Sequence, residues 1–421
     1  MKPEVTSLFT SIREFLFFLL LMLSLFLLSL SYEYINYKDL TRFNDAIIEA
    51  TVLTQYTKHK EERTYQVLKL QLKKGPSFYT IADEELRNLS GYKVSLWMKT
   101  DRISFLEYLR GFFTYSRIEH VERTSLLRYG LSNSIAAVHK NHAIKEIYGA
   151  LFTATPMSKE VRVTLSALGI SHLLAISGFH LGVLSFLLFG LLRLPYAWLQ
   201  ERYFPFRHGK RDLFIIVAVV LAVYVIFLGM PPSLLRSFTM LLIGYVLYDR
   251  GVKVVSMQTL LLTVLLLIAL WPTLFFKIGF WLSVSGVFYI FLFLIHFSGW
   301  SRWIQFVGLH VWVYAMMLPM ALVIFGTFSL WHPFSILATM VFTLFYPLVL
   351  LLHFIGLGAL LDPALSILFE GSVLSVKVNI HESLLFVHIF FSLLSLLYQK
   401  VIWIVLVLSM LSLISAVYQI A

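Results

Sequence analysis

Long apolar runs, separated by short polar connections, fill the chain from Ser171 to its last residue. Each run has about the 17–25 residues that a helix needs to cross a bilayer. A further run, 15–30, follows Arg13 and has no small-residue cleavage site behind it, so we interpret it as an uncleaved first helix. The other predicted helices lie near 171–193, 212–230, 232–249, 254–270, 274–297, 303–325, 333–356, 380–398 and 400–420.

The pattern therefore predicts a polytopic α-helical membrane protein with about nine or ten transmembrane helices. One stretch, 358–379, is weaker because it contains Asp362, Pro363, Glu370 and Lys377. We interpret it as an interfacial or re-entrant segment.

Residues 33–170 have a different pattern and hold most of the charged side chains. Segments 46–56, 64–72 and 92–98 are β-branched or alternate with period two, as half-buried strands do. Several short strands within a few tens of residues predict a small antiparallel β-barrel of the OB type. The sequence thus divides into an N-terminal transmembrane helix (1–32), an OB-like β domain (33–103), a helical connector (104–170) and a transmembrane bundle (171–421).

Basic residues orient the predicted bundle, because Lys and Arg remain on the cytoplasmic side of short loops. The loop after the second helix is the most basic, and two later loops on the same side carry basic residues as well: Arg193, Arg202, Arg207, Lys210, Arg211, Arg250, Lys253 and Arg302. With these loops inside, we expect an inner-membrane protein whose residues 33–170 lie outside the cytoplasm.

Composition supports a membrane protein. Hydrophobic residues make up 59% of the chain and charged residues 14%, whereas soluble domains have about 45–50% and about 25%. The formal net charge of +11 fits basic cytoplasmic loops, or a polyanionic partner such as nucleic acid or anionic lipid. The absence of cysteine excludes disulfides, thiolate metal sites and a cysteine nucleophile.

Enzyme signatures are missing from the sequence. There is no phosphate-binding glycine loop, no dinucleotide fingerprint and no nucleophile elbow. The segment HESLLFVH begins like a zinc-protease motif, but Leu385 stands where its second histidine is needed. We therefore expect no catalytic activity, cofactor or metal.

Two polar stretches interrupt the apolar runs. Ionisable, small and helix-breaking residues lie at membrane depth in SHLLAISGFHLG (171–182) and GMPPSLLRS (229–237). Such residues are costly within a membrane and commonly mark a functional site. The competing interpretation is an interfacial helix start, with an arginine that extends its head group to the water. The candidates for a channel mouth are Ser171, His172, Ser177, Gly178, His180, Pro232 and Arg236.

The first of these stretches resembles the signature of the ComEC family, the DNA-uptake channel of natural transformation. PPSLLRSF, GFWLS and FGTFSLWHP resemble further motifs of that family in the same order, and the resemblance covers roughly residues 44–350. Two departures stand out. Lys277 and Trp281 replace an acidic residue and a glutamine around the GFWLS motif, and the HxHxDH motif of a metallo-β-lactamase-like domain is missing. We therefore expect a short form without a nuclease role.

The resemblance implies that single-stranded DNA crosses the inner membrane. It also implies a periplasmic DNA-receptor protein, a cytoplasmic motor or single-strand-binding proteins and membrane lipid as partners, and allows a homo-oligomer. An OB-like barrel binds single strands by aromatic stacking and basic side chains, although barrel core and solvated surface explain the same residues. The main candidates are Lys58, Lys60, Tyr65, Lys73, Lys74 and Trp97, and Lys69, Phe78, Tyr79, Tyr92 and Lys93 join them.

One other function remains open. A secondary transporter of a small anionic metabolite or lipid also uses broken helices, but it does not need an external β domain. An intramembrane hydrolase is disfavoured, because the sequence offers no nucleophile–base pair.

The predicted orientation can be tested with topology reporters fused at Lys74 and at Arg207. We expect an extracytoplasmic signal at Lys74 and a cytoplasmic signal at Arg207, because the basic loop that contains Arg207 stays on the cytoplasmic side of the membrane. The same compartment for both fusions would contradict the orientation.

Overall fold

The structure, a computed structural model, describes residues 11–60, 63–73, 75–122, 127–370 and 375–420. It divides into two compact units. Unit 1 comprises Met1–Asn133 and Leu261–Phe280, and unit 2 comprises Ser134–Leu260 and Trp281–Ala421.

Helices make up most of the described chain. The α-helices are α1 (Ile12–Leu40), α2 (Phe105–Arg110), α3 (Leu127–Val138), α4 (His142–Thr153), α5 (Lys159–Ala167), α6 (Ser171–Leu174), α7 (Gly178–Tyr203), α8 (Gly209–Phe227), α9 (Pro232–Asp249), α10 (Met257–Leu270), α11 (Ile278–His296), α12 (Arg302–Phe325), α13 (Phe334–Phe354), α14 (Asp362–Glu370), α15 (Glu382–Leu394) and α16 (Ile402–Tyr418). Three short 3₁₀ helices are Pro272–Phe276, Gly358–Leu361 and Gln399–Val401. The strands are β1 (Asp45–Lys60), β2 (Arg63–Leu72), β3 (Ser77–Ala82), β4 (Lys93–Lys99), β5 (Ser116–Glu122), β6 (Thr327–Phe328) and β7 (Val376–Lys377).

Unit 1 is built on a five-stranded antiparallel sheet with the strand order β3-β2-β1-β4-β5. The return of β4 to the free side of β1, after the β1–β2–β3 meander, is a Greek key. Alternate residues of the strands are buried on one face, where Leu68, Leu70, Phe78 and Leu96 form the core with Tyr108 of α2. The predicted small antiparallel sheet is confirmed.

The predicted closed barrel is wrong, because the sheet remains open between β3 and β5. The backbone N–H of Tyr79 donates to the carbonyl oxygen of Phe112 at 2.8 Å, and that of Thr114 donates to Tyr79 at 3.0 Å. This single bridge lies before β5 begins.

Among the described residues, six helices are long and apolar enough to cross a membrane: α1, α7, α11, α12, α13 and the 3₁₀–α16 segment Gln399–Tyr418. The chain is thus a mostly helical, polytopic membrane protein, as predicted, with fewer full-length spans than the predicted nine or ten. The other predicted runs form α8, α9, α10 and α15. Two of these are short: the 14 residues of α10 and the 13 of α15 span about 20 Å of a hydrocarbon core that is about 30 Å thick. The first turn of α8 contains Lys210, Arg211 and Asp212, and α9 contains Arg236 and Asp249.

In unit 2, residues 134–170 pack along α13 rather than lead up to it. Gly169, at a φ of +72°, lies so close to the start of α13 that a Cβ there would be 3.0 Å from the carbonyl oxygen of His332. Phe152 of α4 contacts Tyr346 and His353 further along α13, and His139 contacts His353 near its end. These contacts cover nearly the whole 21-residue helix, about 31 Å, so α4, α5 and α6 belong to the helical bundle.

Candidate functional site

The stretch 171–182 is a broken helix. The four-residue helix α6 ends at Leu174, and Ala175 and Ser177 are extended before α7 begins at Gly178. The predicted continuous helix from 171 is therefore wrong. As N-cap and third helical residue of α7, Ser177 and His180 make a local contact in which the Ser177 N–H donates to Nδ1 of His180 at 3.1 Å.

The side chain of His180 is buried, with 1% of its surface exposed. Its ring packs against Tyr346 and Phe342 of α13, at centroid distances of 4.4 and 5.5 Å. Because Nδ1 accepts a hydrogen bond, the proton of the neutral ring is on Nε2. Among the described residues, that buried Nε2 has no hydrogen-bond partner. The neutral imidazole thus joins the start of α7 to α13.

Gly178 brings the start of α7 against α9. A Cβ at Gly178 would lie 2.5 Å from Oγ of Ser237 and 3.6 Å from Nη2 of Arg236. In the same interface, Oγ of Ser233 donates to the carbonyl oxygen of Ile176 at 2.7 Å. Pro232 is the first residue of α9, a position that needs no backbone N–H donor. The polar stretches 171–182 and 229–237 therefore pack against each other.

Arg236 is at the centre of this contact, and only 5% of its surface is exposed. Its guanidinium donates from Nε to Oγ of Ser283 at 3.0 Å, from Nη2 to Oγ of Ser237 at 3.1 Å and from Nη1 to Sδ of Met240 at 3.1 Å. All three acceptors are neutral, and Arg236 takes part in none of the ion pairs found among the described residues. A guanidinium has five N–H donors, so this buried cation keeps donors for an anion.

Ser171 and His172 lie in a neighbouring contact with the start of α13. The Ser171 and Ser166 hydroxyl oxygens are 2.8 Å apart. Nδ1 of His172 donates to the carbonyl oxygen of Gly169 at 3.0 Å, and its Nε2 is 3.4 Å from Oγ1 of Thr339. The four motifs that resemble the ComEC family thus meet in unit 2. Ser283 belongs to the GFWLS motif. His332, whose backbone lies against Gly169, belongs to the FGTFSLWHP motif.

Of the six main candidates in the β domain, the four whose side chains the structure describes lie near opposite ends of β1. Lys58 and Tyr65 are cross-strand partners in the β1–β2 hairpin. At the other end of β1, Lys73 pairs with Glu49 at 3.1 Å, and Nε1 of Trp97 donates to Asp45 at 2.8 Å. The backbone of Lys60 pairs with that of Arg63, whereas its side chain and all of Lys74 lie outside the described residues.

A second basic and aromatic patch contains Lys69, Tyr79, Phe113 and Tyr115, and the sequence did not single out the last two. Nζ of Lys69 lies 5.6 Å from the centre of the Tyr79 ring, and Tyr79 bridges to Phe113, whose ring meets Tyr115 edge-on at 5.4 Å. The three aromatic residues are 37%, 52% and 60% exposed. Lys277 belongs to the same unit, and burial together with the nearby charge of Lys69 lowers its pKa. The available signal was the alternation after Gly111, where the exposed aromatic residues Phe113 and Tyr115 follow the buried Phe112 and Thr114.

Substitution of Gly178 tests the contact between α7 and α9. Gly178→Ala places a methyl group 2.5 Å from the Ser237 hydroxyl, and such overpacking costs about 1–3 kcal/mol. We expect lower thermal stability of the purified protein in detergent. The double variant Gly178→Ala/Ser237→Gly should recover most of the loss.

Gly182, one turn further along α7, is the matched control, because a Cβ there meets no atom within 4 Å. Gly182→Ala should unfold at the wild-type temperature or above it. Equal losses for both alanine variants would contradict a close approach at Gly178.

Comparison with known proteins identifies a family. The family model described as "Competence protein" matches residues 153–421, more than half of the chain and the part that contains all four motifs. No curated protein and no solved structure matches the chain. The match confirms the resemblance to the ComEC family: the chain belongs to the competence protein family, a family of channel or transport type that acts in DNA uptake during transformation.

Proposed function

We propose that this protein is the inner-membrane channel through which single-stranded DNA enters the cell during natural transformation. Family membership supports a multi-pass membrane protein that interacts with DNA during uptake. The finer assignment to a single strand, a channel and the inner membrane is our proposal.

The buried guanidinium of Arg236 is the observation that carries the proposal. The burial of an arginine without a carboxylate partner costs free energy, because the charge loses its contact with water and gains no anion in exchange. The start of α7 is beside it, and the positive end of that helix dipole also favours negative charge. Two positive groups in one buried place repel each other until an anion lies between them. A DNA phosphate is such an anion.

The small and polar residues around Arg236 suit a passing strand. Ser237 and Ser283 hold the guanidinium through neutral hydroxyl groups, which compete with a phosphate less strongly than a carboxylate does. A strand in transit must bind and then leave, as ions do in selective pores. In our proposal Ser177, Gly178, Pro232 and Arg236 line the path, while His180, Ser171 and His172 hold its walls against α13.

The sheet of unit 1 is the proposed receiving surface. Its Greek-key order is compatible with an open OB-type domain. Stacking of bases on exposed aromatic rings contributes about 1–3 kcal/mol per base, and nearby lysines neutralise phosphates. Tyr79, Phe113 and Tyr115 with Lys69 supply both. We place this sheet outside the cytoplasm, where a periplasmic DNA receptor would deliver the strand, and a motor or single-strand-binding proteins inside.

Complementation of a deletion strain tests the proposal. Without the protein, duplex DNA should still pass the outer barrier, but no labelled strand should reach the cytoplasm. Arg236→Gln should lower transformation about 10- to 100-fold, because a charged hydrogen bond to phosphate contributes about 1.5–3 kcal/mol. Arg236→Lys keeps the charge but loses the planar fork, so its loss should be smaller.

Membrane abundance separates the functional role of Arg236 from a structural one. Arg236→Gln removes an uncompensated buried charge and should accumulate at the wild-type level. Arg250→Gln, at the exposed C-terminal cap of the same helix, is the matched control and should transform normally. Normal transformation in the deletion strain would rule out the channel role and favour a transporter of small anions.

A further inference from the structure

A second group of ionisable side chains lies in unit 2, apart from the site around Arg236. His139 follows α3, His353 is in the last turn of α13, and Asp362 is the first residue of α14. Nδ1 of His139 is 2.9 and 3.0 Å from the two carboxylate oxygens of Asp362. Its Nε2 is 3.1 Å from Nε2 of His353, and Nδ1 of His353 is 2.7 Å from the carbonyl oxygen of Val349. The His139 side chain has no exposed surface, and that of Asp362 is 16% exposed.

The positions of the protons follow from these contacts. A carbonyl oxygen only accepts, so Nδ1 of His353 carries a hydrogen. An ionised carboxylate also only accepts, so Nδ1 of His139 carries another. The two facing Nε2 atoms are at hydrogen-bond distance, which requires a third hydrogen between them. Two neutral imidazoles have only two such hydrogens, so a hydrogen bond between the two Nε2 atoms needs one extra proton, whose charge of +1 would balance that of Asp362.

The surroundings keep this proton out of bulk water. Tyr148 of α4 stacks on His139 with a centroid distance of 4.4 Å and an interplanar angle of 17°. Its buried hydroxyl has no hydrogen-bond partner among the described residues. Gly358 covers the other histidine, since a Cβ there would be 2.8 Å from Cδ2 of His353. The titratable groups that face the cluster are therefore His139, His353, Asp362 and Tyr148, because Lys140 beside His139 is exposed.

We propose that His139, His353 and Asp362 form a proton-binding site that fastens residues 139–153 and α14 to the end of α13. In the protonated state, the two Nε2 atoms of His139 and His353 share the proton. When it leaves to water, two nitrogen lone pairs face each other at 3.1 Å and repel, so the rings separate. The proton acts as a removable link between three segments of the bundle, and membrane-embedded clusters of Asp and His commonly serve as such proton sites.

Hydrogen exchange of the full-length protein in lipid nanodiscs tests this site. Amides in 139–148 and 349–366 should exchange at least about tenfold faster at about pH 9 than at about pH 5, after correction for the intrinsic rate. These values bracket the ordinary titration of histidine. His353→Gln should abolish the dependence, because a glutamine amide donates to Nε2 of His139 without an extra proton. His353→Ala should exchange fast at both values.

His310 supplies the matched control. Its Nδ1 makes the same type of bond to a carbonyl oxygen four residues earlier, Phe306, at 2.7 Å, and its replacement by glutamine should leave the pH dependence at 139–148 and 349–366 unchanged. Asp362→Asn removes the negative partner, so the transition should move to lower pH or disappear. This variant keeps the proposal testable if His353→Gln does not accumulate. Uniform protection of the wild type across this range, or an unshifted transition in Asp362→Asn, would overturn the proposal.

Discussion

The burial of an arginine charge without a carboxylate partner is the constraint on which the proposed site depends. Even after relaxation, burial of an unpaired ion costs several kcal/mol. Arg236 nevertheless points into neutral hydroxyl and thioether groups. Neutral partners keep the guanidinium in position without satisfying its charge. A site with this property favours a mobile anion, and a strand of phosphates presents one anion after another.

Breaks in the helices make this arrangement possible. Long uninterrupted helices would present side chains only to their neighbours, whereas an end exposes backbone groups and a dipole terminus. The chain breaks before Gly178, at Pro231 and Pro232, and again at Pro272 and Pro333. Around the first two breaks, small residues let α7 approach α9 closely. The polar motifs lie together because each marks a place where a helix begins.

Much of this could be predicted from the sequence. Long apolar runs indicated the membrane helices, alternation indicated the strands, and the polar motifs and their order indicated the family. The number of full-length spans could not be predicted, because hydropathy does not reveal that α10 begins only at Met257 or that α15 ends at Leu394. An open or closed sheet also depends on a single bridge at Tyr79, which no local pattern specifies. The His139–His353 contact joins residues 214 positions apart and has no signature in local spacing.

The central claim is that a DNA strand passes Arg236. Its most direct test is photocrosslinking in competent cells that import labelled DNA. A diazirine analogue of methionine at Met240, whose sulfur accepts a hydrogen bond from Arg236, should form adducts with the strand. The same group at Val219, which is 58% exposed on the surface of α8, should form none. Absence of adducts at Met240 while the labelled strand still enters, or equal adducts at both positions, would contradict a path beside Arg236.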